Sequence, residues 1–283
     1  MKFAIVICSI PGYVHSECFR EIAETVHYGL EKLGLDSCIT DGNFIEDRQH
    51  IILGAHLLIS YSKIPELPPG SILYNLEQLE DNRELWVSAY LSLMRRYTVW
   101  DYSHENRKYL RSLGINVEHI LPISYYPGLE RIKHHAEKDI DVLFIGSINP
   151  RREAMIAVMR AMGLEVVTLF GYYGSQRDVF ISRAKILLNV HLYEAKILEM
   201  VRISFYLANK CCVISERSAS LNVDKEWSEG VVFGSYNELP SLAVSLCKDN
   251  VKRREFARRG YTFIKRRKIE ITLQDFRKMS IIK

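Results

Sequence analysis

Lys185–Glu216 reads KILLNVHLYEAKILEMVRISFYLANKCCVISE. The run Ile186–Val190 is continuously apolar, which predicts a strand buried on both faces. His191–Ala195 is a polar elbow. Lys196–Asn209 follows with helical spacing of its apolar residues, and Cys212–Ser215 predicts a second buried strand. Strand, elbow, helix and strand make a βαβ unit. In a parallel sheet the carboxyl end of such a strand is where ligands bind. The elbow carries His191, Tyr193 and Glu194, with Glu199 and Arg202 one and two turns further on.

The segments around this unit repeat the same alternation. Asp141–Ser147 predicts a strand, Arg151–Gly163 a helix closed by its glycine, and EVVTLF another strand. Gly230–Ser235 and Glu238–Asp249 predict a further strand and helix, followed by the basic amphipathic stretch VKRREFARRGYTFIKRR and a last helix over Ile271–Ile282. The first half reads likewise. Phe3–Ser9, Leu35–Thr40, Ile51–Ser60 (strand core HLLIS), Ser71–Glu77, Tyr97–Ser103 and VEHILPI predict strands. Helices are predicted from about Glu17 to Leu33, over Leu85–Met94 and over Glu105–Leu113; Pro65, Pro68, Pro69 and Gly70 break the chain. The segment Pro122–Ile140, with two prolines, a glycine and many charges, reads as a linker. The expected class is α/β, with two Rossmann-like doubly wound domains facing a cleft. The expected domains are 1–130 and 131–268, with 269–283 as a helix crossing back to the first.

The chain has 283 residues, 48% hydrophobic and 25% charged, with net charge +4. That balance is mild, so charge alone does not argue for DNA or RNA, and no nucleic-acid partner is expected. Six cysteines form no CxxC pair, and Cys8, Cys211 and Cys212 sit in apolar runs. This pattern reads as buried thiols rather than a disulfide or zinc framework. MKFAIVICSI has the apolarity of a short signal segment, but Pro11, Gly12 and the amphipathic helix behind them favour a first strand. No apolar run reaches membrane-spanning length. The expected location is cytoplasmic.

Neither GxGxxG nor GxxxxGK[ST] follows a predicted strand, which argues against a nicotinamide enzyme or a P-loop NTPase. The turn after Asp141–Ile145 reads GSINPRR. Gly146 permits close backbone approach, Ser147 follows it, Asn149 can cap the next helix, and Pro150 suits its first position. Arg151 and Arg152 then stand where the helix dipole is already positive. That placement suits a phosphate; the alternative is solvent exposure or pairing with Glu153 and Glu165. Glu199 can accept two hydrogen bonds from a ribose or sugar diol, or serve as a helix partner of Arg202. His191 is either a ligand group or a satisfied polar residue at a strand end.

FIGSINPRR, the stretch Ile186–Glu216 and GVVFGSYNELPSLAVSLCKDNVKRREFARRGYTFI resemble the donor domain of GT-B glycosyltransferases. The resemblance implies that Arg151 or Arg152 meets a diphosphate and that Glu199 binds ribose hydroxyls. A retaining group in that family carries a second glutamate eight residues earlier, where this chain has His191. That difference departs from the retaining pattern and leaves the stereochemistry open, with a slight preference for inversion. The first half would then hold the acceptor. His15, in SIPGYVHSECF, matches a loop histidine that acts as base in inverting members, and imidazole chemistry suits that role. Glu77 and Asp101, each polar after an apolar strand, are further candidates for base, orienting group or acceptor ligand. The implied donor is a nucleotide-diphosphate sugar and the acceptor a hydroxyl of a glycan or other molecule. No metal and no cofactor are expected, since cations and a helix dipole stabilise the leaving diphosphate. The basic C-terminal region suggests peripheral contact with an anionic membrane surface, or a solvated helix face. A non-catalytic nucleotide-sugar-binding module and a nucleotide-sugar epimerase are the alternatives.

Overall fold

The computed structural model describes residues 1–60, 66–79 and 85–274. The chain divides into two compact units: residues 1–126 with those from Arg267 onward, and Pro127–Arg266. Each unit is built on one sheet in which every paired strand runs parallel.

In the first unit the strands are β1 (Lys2–Ile7), β2 (Asp36–Asp41), β3 (Gln49–Leu53), β4 (Ile72–Asn75), β5 (Thr98–Asp101) and β6 (Val117–Ile120). Their order across the sheet is β2-β1-β3-β4-β5-β6. The connections run one way from β1 and the other way from β3, so the topological switch lies between those two strands. Phe3–Val6 and Ile51–Leu53 are completely buried, as expected for central parallel strands covered on both faces. Helices α1 (Arg20–Lys32), α2 (Leu85–Met94) and α3 (His104–Ser112) belong to this unit. Ser103 starts α3 by accepting from the Glu105 and Asn106 amides, which satisfies donors that the first turn leaves open.

The second unit has β7 (Ile140–Ile145), β8 (Val166–Leu169), β9 (Ala184–Asn189), β10 (Val213–Glu216) and β11 (Val231–Gly234), in the order β11-β10-β9-β7-β8. Its switch lies between β7 and β9. The helices are α4 (Pro150–Ala161), α5 (Gly174–Arg183), α6 (Met200–Ala208), α7 (Leu221–Trp227), α8 (Leu239–Lys248) and α9 (Asn250–Lys265). Alternate strand residues Val142, Phe144, Ile186, Leu188 and Ile214 pack with Met155, Met159, Leu239 and Ala243 of α4 and α8. On α9, Gly260 lies against Gly230, where an added Cβ on Gly230 would come within 2.4 Å of the Gly260 Cα.

The chain then returns to the first unit. Tyr125 donates its amide to Arg267 O (2.8 Å) and accepts from the Ile269 amide (3.1 Å). A short helix, α10 (Ile269–Thr272), packs on α1 at Gly29, where a Cβ would meet Ile269 Cγ1 at 2.7 Å.

Two local expectations need correction, and one helix was not foreseen. HLLIS is not a strand: QHIIL pairs in the sheet, and Ala55–Ser60 is a 3₁₀ helix. Gly54 ends the strand at φ +73°, a conformation that glycine adopts without strain. The predicted helix from Lys196 starts only at Met200, because Lys196 takes φ +45° and the chain from His191 to Glu199 remains irregular. The stretch at Leu221–Trp227 forms α7, started by the Ser220 side chain, which the apolar pattern did not reveal. Pro65 and the 275–282 part of the last predicted helix lie outside the described residues.

Candidate functional site

The second unit gathers polar groups at its switch point. Gly146 follows β7 with φ +151°, and its amide donates to Leu169 O (2.9 Å). A Cβ there would stand 3.1 Å from Arg202 Nη1, so glycine lets the guanidinium close on this turn. Asn149 caps α4 by accepting from the Arg152 amide (2.9 Å). Ser147 contributes its carbonyl to Arg152 Nη1 (2.9 Å).

The three arginines have different duties. Arg152 is buried, with Nε and Nη2 donating to Val190 O (3.0 and 2.6 Å) and the guanidinium 5.1 Å from the Phe144 ring centroid. Burial, with Arg202 beside it, pushes its pKa down to about 10. It ties the β7 turn to the end of β9. Arg151 forms a two-pronged pair with Glu216, Nη1 donating to Oε2 at 2.8 Å and Nη2 to Oε1, and stacks over Tyr236. The carboxylate partner of Arg151 is therefore Glu216, rather than Glu153 or Glu165. Arg202 donates only Nη1, to Ile145 O (2.8 Å). Among the described residues its Nε and Nη2 make no hydrogen bond, so this guanidinium retains donors for an anion.

Glu199 is the residue immediately before α6, and its side chain is 8% exposed. Oε2 accepts from Asn189 Nδ2 (2.7 Å) and lies 3.0 Å from His191 Nδ1. Burial pushes the carboxyl up, but the hydrogen bond and charge of His191, with Arg202 and Asn189, outweigh it and hold the pKa at about 2. Oε1 stands 3.9 Å from Arg152 Nη2 and has no hydrogen-bond partner among the described residues, and neither does Asn189 Oδ1; both atoms are buried. His191 is buried, its Nε2 3.2 Å from Arg217 O and its amide donating to Glu216 Oε2 (3.2 Å). Burial also works against the Glu216 carboxylate, and Arg151, His191 and Lys196 bring its pKa below the usual value. Lys196 Nζ lies 3.2 Å from Glu216 Oε1. Tyr193 is partly buried, its carbonyl accepting from the Lys196 amide (3.3 Å), and Glu194 is exposed. Four permanent cations (Arg151, Arg152, Lys196 and Arg202) thus stand with two buried carboxylates, Glu199 and Glu216, leaving net positive charge around them. Glu216 had no assigned role in the sequence reading, which treated it only as a strand end.

The first unit places the other candidates at the carboxyl ends of β1, β4 and β5. His15 lies in the 3₁₀ turn Val14–Phe19 after β1, half-buried, its ring edge-on to Tyr13 (centroids 5.0 Å). Asp101 is wholly buried. It accepts from Asn75 Nδ2 (2.7 Å), the Ser103 amide (2.7 Å) and Asn106 Nδ2 (3.1 Å). Burial pushes its pKa up to about 7 against those hydrogen bonds. Such a carboxyl braces β4, β5 and α3 and is shielded from solvent. Glu77 is 25% exposed, with Oε1 3.6 Å from His56 Nε2. His56 is the residue that the sequence reading missed, because HLLIS was assigned to a strand.

Among the described residues no three His, Cys, Asp or Glu side chains are grouped to hold a metal ion, and no helix is long and apolar enough to cross a membrane. In the basic region Arg253 donates to Leu246 O and Cys247 O, Arg266 pairs with Glu229, and Lys252, Arg254 and Arg258 are exposed.

No protein-family model matches the chain. Uncharacterized protein L138 of Acanthamoeba polyphaga mimivirus is 30% identical over 207 residues, covering 70% of this chain and 23% of that protein. Uncharacterized protein L140 of the same virus is 24% identical over 159 residues, 54% of this chain and 50% of that protein. The chain therefore spans less than a quarter of the first of these relatives and half of the second. Among solved structures, Anabaena HepE in complex with UDP and glucose superimposes with TM-score 0.65 at 9% identity, covering 99% of both chains. Thermosynechococcus elongatus sucrose-phosphate synthase gives 0.62 at 10% identity over 100% of both. A T4 phage β-glucosyltransferase mutant in complex with UDP-glucose gives 0.55 at 13% identity over 99% of both. Two parallel doubly wound sheets and the return of residues 267–272 to the first unit agree with these likenesses: the chain has the two-domain Rossmann-like fold of the GT-B glycosyltransferases.

Proposed function

We propose that this chain is a glycosyltransferase that moves a hexosyl or pentosyl group from a UDP-sugar to a hydroxyl of a glycan or other acceptor. The observation that carries the reading is the pair of buried acceptors Glu199 Oε1 and Asn189 Oδ1, neither of which accepts a hydrogen bond among the described residues, near the available guanidinium of Arg202. Buried acceptors without donors are costly, about 1–3 kcal/mol each. Two adjacent ribose hydroxyls supply two donors, and the attached diphosphate supplies the anion for Arg202. The fold supports the same reading, since two similar structures contain UDP or UDP-glucose.

In this account the β7 turn and Arg202 receive the diphosphate and stabilise it as it leaves. Glu199 holds the ribose. Arg151, Arg152 and His191 set the shape of the site from beneath, with Glu216 as the counter-charge that positions Arg151. Ser147, Tyr193 and Glu194 lie nearest the donor sugar. The first unit receives the acceptor, with a base among the groups at its strand ends. Charge on the leaving group is met by protein cations, so turnover needs no metal ion, and inversion follows from a single displacement by the acceptor oxygen. The exposed cations of α9 offer contact with an anionic membrane surface carrying lipid-linked acceptors.

The test is release of UDP from a panel of UDP-sugars, with water and simple glycosides as acceptors and product analysis by NMR. The reading expects one sugar to be preferred and an inverted anomeric centre in the product. Epimerised donor without transfer, or UDP-sugar binding without turnover on any acceptor, would refute it.

A further inference from the structure

His56 occupies the switch point of the first unit, a place that the fold makes available to ligands. It opens the 3₁₀ helix after β3, next to the β1 loop that carries His15. Three rings fix the imidazole: Phe19, Trp86 and Tyr90, with centroids 6.1, 5.9 and 5.9 Å away. Phe19 is itself seated on Gly54, where a Cβ would come within 2.6 Å of its ring. The His56 side chain is 18% exposed, and its Nε2 lies 3.6 Å from Glu77 Oε1. Nδ1 makes no hydrogen bond among the described residues.

Glu77 is held in turn from below. Its amide donates to Asn75 Oδ1 (3.2 Å), and its carbonyl accepts from Asn75 Nδ2 (3.0 Å) and Asn106 Nδ2 (2.8 Å). Both asparagines donate to the buried carboxyl of Asp101. A rigid polar stack therefore runs from Asp101 through the two asparagines to Glu77 and ends at a partly exposed imidazole. A carboxylate behind one ring nitrogen fixes which nitrogen carries the proton and leaves the other as an acceptor. The 3.6 Å separation is longer than a hydrogen bond, and such pairs tighten when substrate binds.

We propose that His56 is the base that activates the acceptor, with Glu77 as its positioning residue; this rests on the glycosyltransferase reading above. Nδ1 takes the proton of the acceptor hydroxyl as its oxygen bonds to the anomeric carbon of the donor. The bond from that carbon to the β-phosphate oxygen breaks, and its electron pair leaves with UDP. The proton on the imidazole passes to solvent. Asp101 anchors the stack and does not touch substrate.

The test compares wild type with His56→Asn, His56→Gln, Glu77→Gln, Glu77→Asp and His15→Asn, measuring UDP binding by calorimetry and UDP release from the panel of UDP-sugars. A base of this kind contributes about 10²–10⁴-fold, so both His56 variants should lose at least about 100-fold in kcat, with donor KM and UDP binding within threefold of wild type. Glu77→Gln should lose about 10-fold in kcat, with Glu77→Asp recovering part of it. Retained UDP binding shows that a variant is folded. Transfer by His56→Asn within threefold of wild type, or the large kcat loss appearing in His15→Asn instead, overturns the assignment and leaves the glycosyltransferase reading standing. UDP binding without release from any UDP-sugar overturns the catalytic claim. If wild type binds no UDP, the donor reading fails and this proposal fails with it.

Discussion

Replacing Glu199 with glutamine removes one charge and changes little in volume. Its cost can be worked from the site. The free carboxyl of glutamate titrates near 4.5, and in the folded chain Glu199 is held at about 2. A shift of that size corresponds to about 3 kcal/mol. A depressed carboxyl contributes stability that is present above the unfolded pKa and is lost as the pH falls through the folded one. The contribution of Glu199 is therefore about 3 kcal/mol at pH 7, about 2 at pH 3.5, and gone below pH 2. Glu199→Gln should weaken the second unit by those amounts at each pH. The side chain is nearly excluded from water, so salt should screen little of the effect. The units can be followed separately with 5-fluorotryptophan, because Trp227 lies in the second and Trp86 and Trp100 in the first. Urea titrations read at the Trp227 resonance give the second unit's stability at each pH. A loss under 1 kcal/mol at pH 7, or a difference that grows on acidification, would show that Glu199 is not held as an ionised carboxylate by His191 and Asn189.

Asp101 should behave with the opposite sign. Its pKa is raised from 3.8 to about 7, so its ionisation opposes folding as the pH rises between those values. Relative to wild type, Asp101→Asn should gain about 3 kcal/mol in first-unit stability between pH 4 and pH 7, read at Trp100; an unchanged difference would contradict this. Arg202→Ala removes the available guanidinium and should weaken UDP binding about 10–100-fold by calorimetry, from the 1.5–3 kcal/mol of a charged hydrogen bond. Affinity within twofold of wild type would move the diphosphate elsewhere. Turnover should survive excess EDTA, and complete loss restored by Mg²⁺ or Mn²⁺ would refute the metal-free account.

The sheet architecture was legible because parallel strands buried on both faces leave long Ile, Val and Leu runs, as at Phe3–Ile7 and Ile186–Val190. Strand ends were legible for the same reason, which is why Gly146, His191, Glu199 and Arg202 emerge together. Burial of individual charges was not. Arg151 and Arg152 are neighbours in sequence, yet one faces Glu216 and the other is sealed beneath Val190 O. A guanidinium satisfied by backbone carbonyls leaves no pattern in the chain. Asp101 and Glu77 likewise look alike after apolar strands, although only Glu77 reaches solvent. His56 was hidden by Gly54: a left-handed turn there converts an apolar run that reads as strand into a strand followed by a 3₁₀ helix. The glycine itself was the available signal, since glycine inside an apolar run often marks a break.

The central claim is that the β7–β9 switch point of the second unit binds a nucleoside diphosphate sugar. Its most direct test is calorimetric titration of the wild-type chain with UDP, alongside GDP, ADP and UMP, followed by thermal unfolding of each mixture. The account predicts saturable one-to-one binding of UDP, weaker binding of UMP, and a rise in Tm that follows the measured affinity. Absence of binding and of any Tm shift with every nucleoside diphosphate at millimolar concentration would contradict it.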